Sequence, residues 1–214
     1  MSRRSCPSMP VHASNRQRGL SLLIVLLLLI AAVFLGVSAA VIALQTEKAA
    51  RGDRDRQVAF QAAEAAMIDA QRDIDTAGTP SPGARPLPMG RDSAAGFPAS
   101  DDATICNAAS DPVAGGLCQQ ALPAAKPSWL AVDLAASGSG SVSVAYGTYT
   151  QQKYPVNSGI LPARLPRYII ELMPFVQPGA TAQVPSFAYR ITAIGFGTDI
   201  NTQVVLQAFY RKED

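Results

Sequence analysis

An uninterrupted apolar segment near the start of the chain constrains its structure more than any other feature. Residues 20–44 carry no charge, and all 25 are apolar except Ser21, Gly36 and Ser38. A helix of this length would be about 37 Å long, enough to cross a hydrocarbon core about 30 Å thick. We therefore predict one membrane-spanning helix, followed by a single extramembrane domain of ordinary globular composition.

The charges on either side of this segment predict its orientation in the membrane and argue against nucleic-acid binding. Arg3, Arg4, Arg16 and Arg18 precede it, without any acidic residue, which places this side in the cytoplasm. Without these four arginines, the chain's 18 basic and 16 acidic residues become 14 basic and 16 acidic. No basic patch suited to phosphate backbones remains, so nucleic acid is not expected as a partner.

A short basic stretch ends in glycine immediately before the apolar segment. Its sequence, Arg16-Gln17-Arg18-Gly19-Leu20, resembles the leader of type IV prepilins and type II secretion pseudopilins, in which a prepilin peptidase cuts after the glycine. The resemblance implies that residues 1–19 are a leader and that the mature chain begins at Leu20. The alternative is a plain membrane anchor. A secretory signal peptide is disfavoured, because its apolar region spans only about 7–15 residues.

The helical pattern continues beyond the membrane segment. Good helix formers fill residues 45–77, and Gly78 with the prolines after it would end the helix. Apolar residues at steps of three and four indicate an amphipathic helix; they are Phe60, Ala63, Met67, Ala70 and Ile74. A coiled coil is the alternative, but this stripe covers barely two heptads. We predict one helix from Leu20 to about Asp75, with its second half packed on the domain.

This second half also carries a specific family resemblance. Residues 54–66 have the sequence RDRQVAFQAAEAA, which is similar to a segment of the PilX-type minor pilins. Shorter similarities occur at residues 116–118, 189–193 and 204–207. The resemblance implies a type IV pilin fold, a non-enzymatic pilus subunit without cofactors, and an inner-membrane anchor with the C-terminal domain in the periplasm. It also implies other minor pilins, the major pilin, a large tip adhesin and, transiently, prepilin peptidase as partners.

One position departs from the major pilins. Counted from Leu20, the fifth residue is Ile24, where major pilins carry a glutamate that pairs with the N-terminal amine of the subunit ahead. PilX-type proteins and the tip pseudopilin of type II secretion share this omission. It implies that Ile24 determines a position at the pilus tip, from which the subunit helps to initiate assembly. The alternative is that Ile24 only adds hydrophobicity to an anchor.

The cysteines fall in a segment predicted to be rich in loops. Residues 78–140 hold eight prolines before position 128, together with Cys106 and Cys118, the only cysteines beyond the leader. An even pair of cysteines in an exported domain favours a disulfide. Two free thiols are the alternative.

Strand patterns dominate the rest of the chain, residues 141–214. β-rich or alternating runs lie at residues 141–146, 167–172, 187–196 and 202–210, and a short turn joins the last two. One long helix followed by such runs predicts an α+β domain. We expect the helix to pack on an antiparallel sheet of about four strands.

Residues suited to catalysis or metal binding are scarce. His12 is the only histidine and lies in the predicted leader, so triads and histidine-bearing zinc sites are not expected. Asp101-Asp102, and Asp199 with Asn201, are more typical of turns than of an acid pair or a calcium site. Trp129 is expected in the core rather than at a partner surface. No catalytic, cofactor-binding or metal-binding residues are predicted.

The sequence is compatible with three functional classes. The first is a filament subunit: a minor pilin of the type IV pilus tip or, as an alternative, a minor pseudopilin of type II secretion. The second is a membrane-anchored periplasmic binding module, and the third is an anchored exported enzyme. Processing after Gly19 separates the first class from the others, and the lack of histidine counts against the third.

Overall fold

The computed structural model describes residues 20–99, 105–120, 126–175 and 186–212. The chain divides into two compact units, one ending at Ala50 and the other beginning at Arg51. Helix α1 runs from Leu20 to Thr76, which confirms the predicted helix. In the first unit, the described residues are helical and exposed throughout.

The second unit combines the remainder of α1 with a five-stranded sheet. The further elements are β1 (Leu117–Cys118), α2 (Ser128–Ala131), β2 (Val144–Ala145), β3 (Arg167–Pro174), β4 (Phe187–Phe196) and β5 (Gln203–Tyr210). The strand order is β1-β3-β4-β5, and β2 also pairs with β3. All pairs are antiparallel except β1 with β3. The predicted α+β class is confirmed, with a mixed sheet of five strands rather than an antiparallel sheet of about four.

The predicted strands differ in how well they form. Strands β3, β4 and β5 lie where the sequence places them, and β4 and β5 form the expected hairpin. The run at residues 141–146 pairs with β3 only at Val144 and Ala145. Ser141 and Ser143, which precede β2, are buried. The Ser141 hydroxyl donates to the carbonyl of Gly138, and the Ser143 hydroxyl donates to the carbonyl of Leu134. These local bonds hold the chain in a loop and shorten the strand.

A row of small side chains on α1 faces the sheet. The helix residues buried there include Ala59, Ala62, Ala63, Ala66 and Ala70. A Cβ atom on Gly195 of β4 would lie 2.1 Å from the carbonyl oxygen of Ala59 and 2.3 Å from the amide nitrogen of Ala63. The two backbones therefore approach too closely for a larger side chain at Gly195.

The predicted apolar stripe is wrong at one position, Phe60. Phe60, which was expected to face the domain, is 43% exposed. The buried face is centred instead on the alanines, because they let the helix backbone come near β4. Helical periodicity alone cannot separate these neighbouring faces.

The sheet has an apolar core on each side, because successive side chains along β4 point to opposite faces of the sheet. Tyr189, Ile191 and Ala193 belong to the inner core, which includes α1. Ile194 and Phe196 belong to an outer core against which Trp129 packs, as expected for that residue.

Replacing Gly195 by alanine should separate helix and sheet. The added methyl group meets backbone atoms that cannot rotate away, so we expect the free energy of unfolding to fall by about 3 kcal/mol. Gly140→Ala is the matched control, since nothing lies within 4 Å of the position that its methyl group would occupy; it should change stability by less than about 1 kcal/mol. Urea unfolding of the full chain in detergent, followed by Trp129 fluorescence, measures both. Equal stability of the two variants would contradict the close contact.

Candidate functional site

The first unit presents an apolar helical surface. Its large apolar side chains between Leu20 and Leu44 are 42–77% exposed. Such a surface is stable in lipid or against other apolar helices, but not in water. Among the described helices, α1 alone is long and apolar enough to cross a membrane. This surface fits a single-pass membrane anchor.

The predicted N-terminal site residues lie at the start of this surface. Leu20 is the first residue of α1, and Ile24 follows one turn later with 49% of its surface exposed. Gly19, like His12 and the rest of the predicted leader, lies outside the described residues. Cleavage after Gly19 and the role of Ile24 stay predictions.

The two predicted cysteines are joined in a disulfide. Both are buried in the outer core. Backbone bonds flank the bridge on either side: Asn107 N donates to Leu117 O and Gln119 N to Ile105 O, each at 3.0 Å. The disulfide therefore fastens part of the loop-rich segment covalently to β1 and the sheet.

A buried ion pair fixes the chain that follows α1. Arg85 and Asp73 are both 0% exposed. Arg85 Nε donates to Asp73 Oδ1 at 2.8 Å, and its Nη2 donates to Oδ2 at 2.9 Å. Tyr168 on β3 donates its hydroxyl to the same Oδ2 at 2.8 Å. Helix, loop and sheet thus meet at one carboxylate.

The remaining contacts of Arg85 complete this cluster. Its Nη1 donates to the carbonyl of Val113 at 3.1 Å, and its guanidinium carbon lies 3.5 Å from the ring centre of Tyr149. Burial acts to lower the pKa of Arg85, but the charge of Asp73 raises it overall. Burial also raises the pKa of Tyr168 well above its ordinary value. The cluster is a buried ion pair with one hydroxyl donor, which suits a structural role.

Other carboxylates of α1 hold other loops. Asp69 accepts hydrogen bonds from Gly147 N, at 2.8 Å, and from the hydroxyl of Thr150. Burial raises the pKa of Asp69. Asp55 accepts from both the amide and the hydroxyl of Thr198, in the turn between β4 and β5. These roles were not predicted, although Asp69 and Asp73 four residues apart on an alanine face are a signal that the sequence does contain.

The weaker candidates have ordinary roles or lie outside the described chain. Asp199 Oδ1 accepts from the backbone and side-chain nitrogens of Asn201, at 2.9 and 3.0 Å, which is a turn contact. Within the described ranges, no three His, Cys, Asp or Glu side chains are grouped so as to hold a metal ion. Asp101-Asp102 falls in a stretch that the structure does not describe.

Truncating Arg85 should be more damaging than removing one hydrogen bond from the same carboxylate. In Arg85→Met, Asp73 would remain buried without its cation, at a cost of about 3–5 kcal/mol. In Tyr168→Phe, the ion pair remains and only one donor is lost, at a cost of about 1.5–3 kcal/mol. Urea unfolding of the full chain in detergent checks this order. A larger loss in Tyr168→Phe would contradict the central place given to the ion pair.

Comparison with protein families agrees with this architecture. The family model described as type IV pilus assembly protein PilX C-term matches residues 102–212. The PilX N-terminal model matches residues 18–67, which include the start of α1. Neither a curated protein nor a solved structure matches the chain. The C-terminal match covers 111 of the 214 residues, and the N-terminal match covers 50. The chain therefore belongs to the PilX family of type IV pilus assembly proteins.

Proposed function

We propose that this PilX-family chain is a minor pilin that occupies the tip of a type IV pilus and helps to initiate its assembly. The observation that carries the proposal is the absence of any acidic residue from positions 20–44, with Ile24 where major pilins have glutamate. The exposed apolar surface of α1 supports it, because that surface suits both a membrane and the helical core of a filament.

The proposed position follows from the charge that Ile24 cannot supply. In the middle of the shaft, this subunit would leave the N-terminal amine of the subunit ahead without its carboxylate. An unpaired charge buried among apolar helices costs several kcal/mol. At the tip no subunit lies ahead, so the cost disappears. The amine of Leu20 can still pair with the glutamate of the next subunit, which makes this chain a starting point for growth.

The proposed partners follow from the same arrangement. Prepilin peptidase would act first and release residue 20 as the N-terminus. Helices of other minor pilins and of the major pilin would then cover the apolar surface of α1. The second unit, with its disulfide-fastened loops, would be presented beyond the shaft, where a large tip adhesin would bind.

Processing is the first test of this function. Mass spectrometry of the protein from cells with prepilin peptidase should find a chain that begins at Leu20. Gly19→Val should block the cut, because a branched side chain hinders entry of the extended backbone into the protease. Recovery of an intact Met1 start from such cells would exclude the prepilin assignment.

Ile24→Glu tests position directly. Immunogold labelling of the unaltered chain should mark pilus ends, and deletion should reduce piliation sharply. In Ile24→Glu the subunit can pair with an amine ahead of it, so gold particles should also appear along the shaft. Ile30→Glu is the matched control: it adds the same charge to the same helix, six residues further on, and should not spread the label.

Two results would contradict the tip proposal. One is regular labelling of the unaltered chain along the shaft. The other is an unchanged end-only distribution for Ile24→Glu when immunoblots show normal amounts of this variant in the membrane.

A further inference from the structure

Strand β5 leaves one edge of the sheet open. Among the described strands it comes last in the order β1-β3-β4-β5, and it spans eight residues, Gln203–Tyr210. The opposite side of the sheet ends in β1 and β2, which have two residues each. Edge strands this short offer little backbone to another chain, whereas β5 offers a strand of full length. The two edges of the sheet are therefore protected to very different degrees.

The register of the β4–β5 hairpin shows which backbone groups of β5 point outward. Gly197 N donates to the carbonyl of Thr202 at 2.8 Å, and the same register continues along both strands. Bonded and non-bonded pairs alternate along an antiparallel ladder, so the even-numbered residues of β5 bond to β4. The odd-numbered residues point their N–H and C=O groups away from the sheet; they are Gln203, Val205, Gln207 and Phe209. No described part of the chain bonds to these outward backbone groups.

Strand β5 lacks the features that usually protect an edge strand. Charged side chains, prolines and bulges commonly prevent pairing with another chain. The sequence of β5, QVVLQAFY, holds no charge, proline or glycine, and all eight residues pair with β4 without a bulge. The charged residues that follow make other contacts: Arg211 lies over the ring of Phe175, and Lys212 donates to the carbonyl of Ile74.

Two exposed apolar side chains accompany these backbone groups. Val205 is 49% exposed and Phe209 is 68% exposed. They lie four residues apart on one strand, so both project from the same face of the sheet. A strand laid beside β5 would bring its own alternate side chains into contact with them.

This geometry specifies the chemistry of an occupant. Donors and acceptors that alternate at strand spacing are matched by the backbone of another extended polypeptide segment. The uncharged edge favours a segment of about seven or eight residues without charge or proline. Val205 and Phe209 favour apolar side chains at alternate positions of that segment.

A second copy of the chain fits this edge poorly. Antiparallel pairing of β5 with its own copy requires a two-fold axis perpendicular to the sheet. Helix α1 lies on the face of the sheet, where its backbone approaches Gly195, so this axis would make the two α1 helices run in opposite directions. Two chains anchored in one membrane by the start of α1 could not pair in this way. The other edge of a second copy offers strands of only two residues.

We propose that β5 binds an extended, uncharged segment of a different protein, which becomes a further strand of the sheet. Main-chain hydrogen bonds to the odd-numbered residues of β5 hold the segment, and its apolar side chains cover Val205 and Phe209. The proposal depends on the fold of the second unit and not on the tip position proposed above.

Photocrosslinking in cells tests the proposed strand. The full chain, produced in its native host, carries p-benzoylphenylalanine in place of Val205 or of Phe209. Both positions should form an adduct with the same protein, and mass spectrometry should place the two attachment sites about four residues apart in one uncharged segment. The same photoprobe in place of Leu130 is the matched control, because Leu130 is an apolar residue of α2 that is 58% exposed. It should form no adduct with that segment.

A proline variant tests whether backbone pairing holds the segment. Gln207→Pro removes one outward N–H group and leaves the bonds to β4, because an edge strand tolerates proline where its nitrogen faces outward. It should lower the adduct from position 209 several-fold. Gln207→Thr is the matched control: it also removes the side-chain contact to Thr192 but keeps the N–H group, so the adduct should be unchanged. Formation of the Cys106–Cys118 disulfide, read on non-reducing gels, reports folding of both variants.

Several results would overturn the proposal. One is a yield of adducts at positions 205 and 209 no higher than at position 130. Another is attachment to a second copy of this chain, or to sites without the expected spacing. A third is an equal effect of the two Gln207 variants when both form the disulfide. If Gln207→Pro does not form it, Val205→Lys replaces it, since an exposed lysine opposes strand pairing without disturbing the core; an undiminished adduct from position 209 would then overturn the proposal.

Discussion

The buried ion pair between Asp73 and Arg85 is the constraint on which the second unit depends. It joins α1 to the loop that follows it and, through the Tyr168 hydroxyl, to β3. Each partner is costly to bury alone, so the three parts are stable only together. The loop has no apolar periodicity that would direct it along the domain. The ion pair fixes the path of the loop, because a buried charge is tolerated only beside its partner, whereas a methyl group is tolerated at many buried positions.

Around this pair, α1 has to meet two different requirements. From Arg51 onward, its alanine face is shaped by the close approach of Gly195, while its carboxylates hold the surrounding loops. Before Ala50, its apolar side chains are exposed and require cover from outside the chain. The first requirement is met by folding. The second is met only by lipid or by other apolar helices.

Local patterns predicted much of this fold, whereas single long-range contacts escaped prediction. Helix α1 and the hairpin of β4 and β5 follow from periodicity and turn residues, and the disulfide follows from the cysteine count. Strand β1 has two residues, too few for any period. Arg85 is one arginine in a proline-rich segment, and Tyr168 lies 95 residues from Asp73.

The absent glutamate has a consequence in the membrane as well as in the proposed filament. A carboxylate in the apolar part of a major pilin is costly in lipid, and pairing in a filament relieves that cost. This chain has Ile24 there, so its α1 gains nothing by such pairing and is fully compatible with the bilayer. In the proposed function, the departure of α1 from lipid is then driven by helix packing and by the glutamate of the following subunit, which pairs with the amine of Leu20. In the proposed function, a subunit with these properties waits in the membrane until a second subunit arrives, and its departure is coupled to the first step of growth.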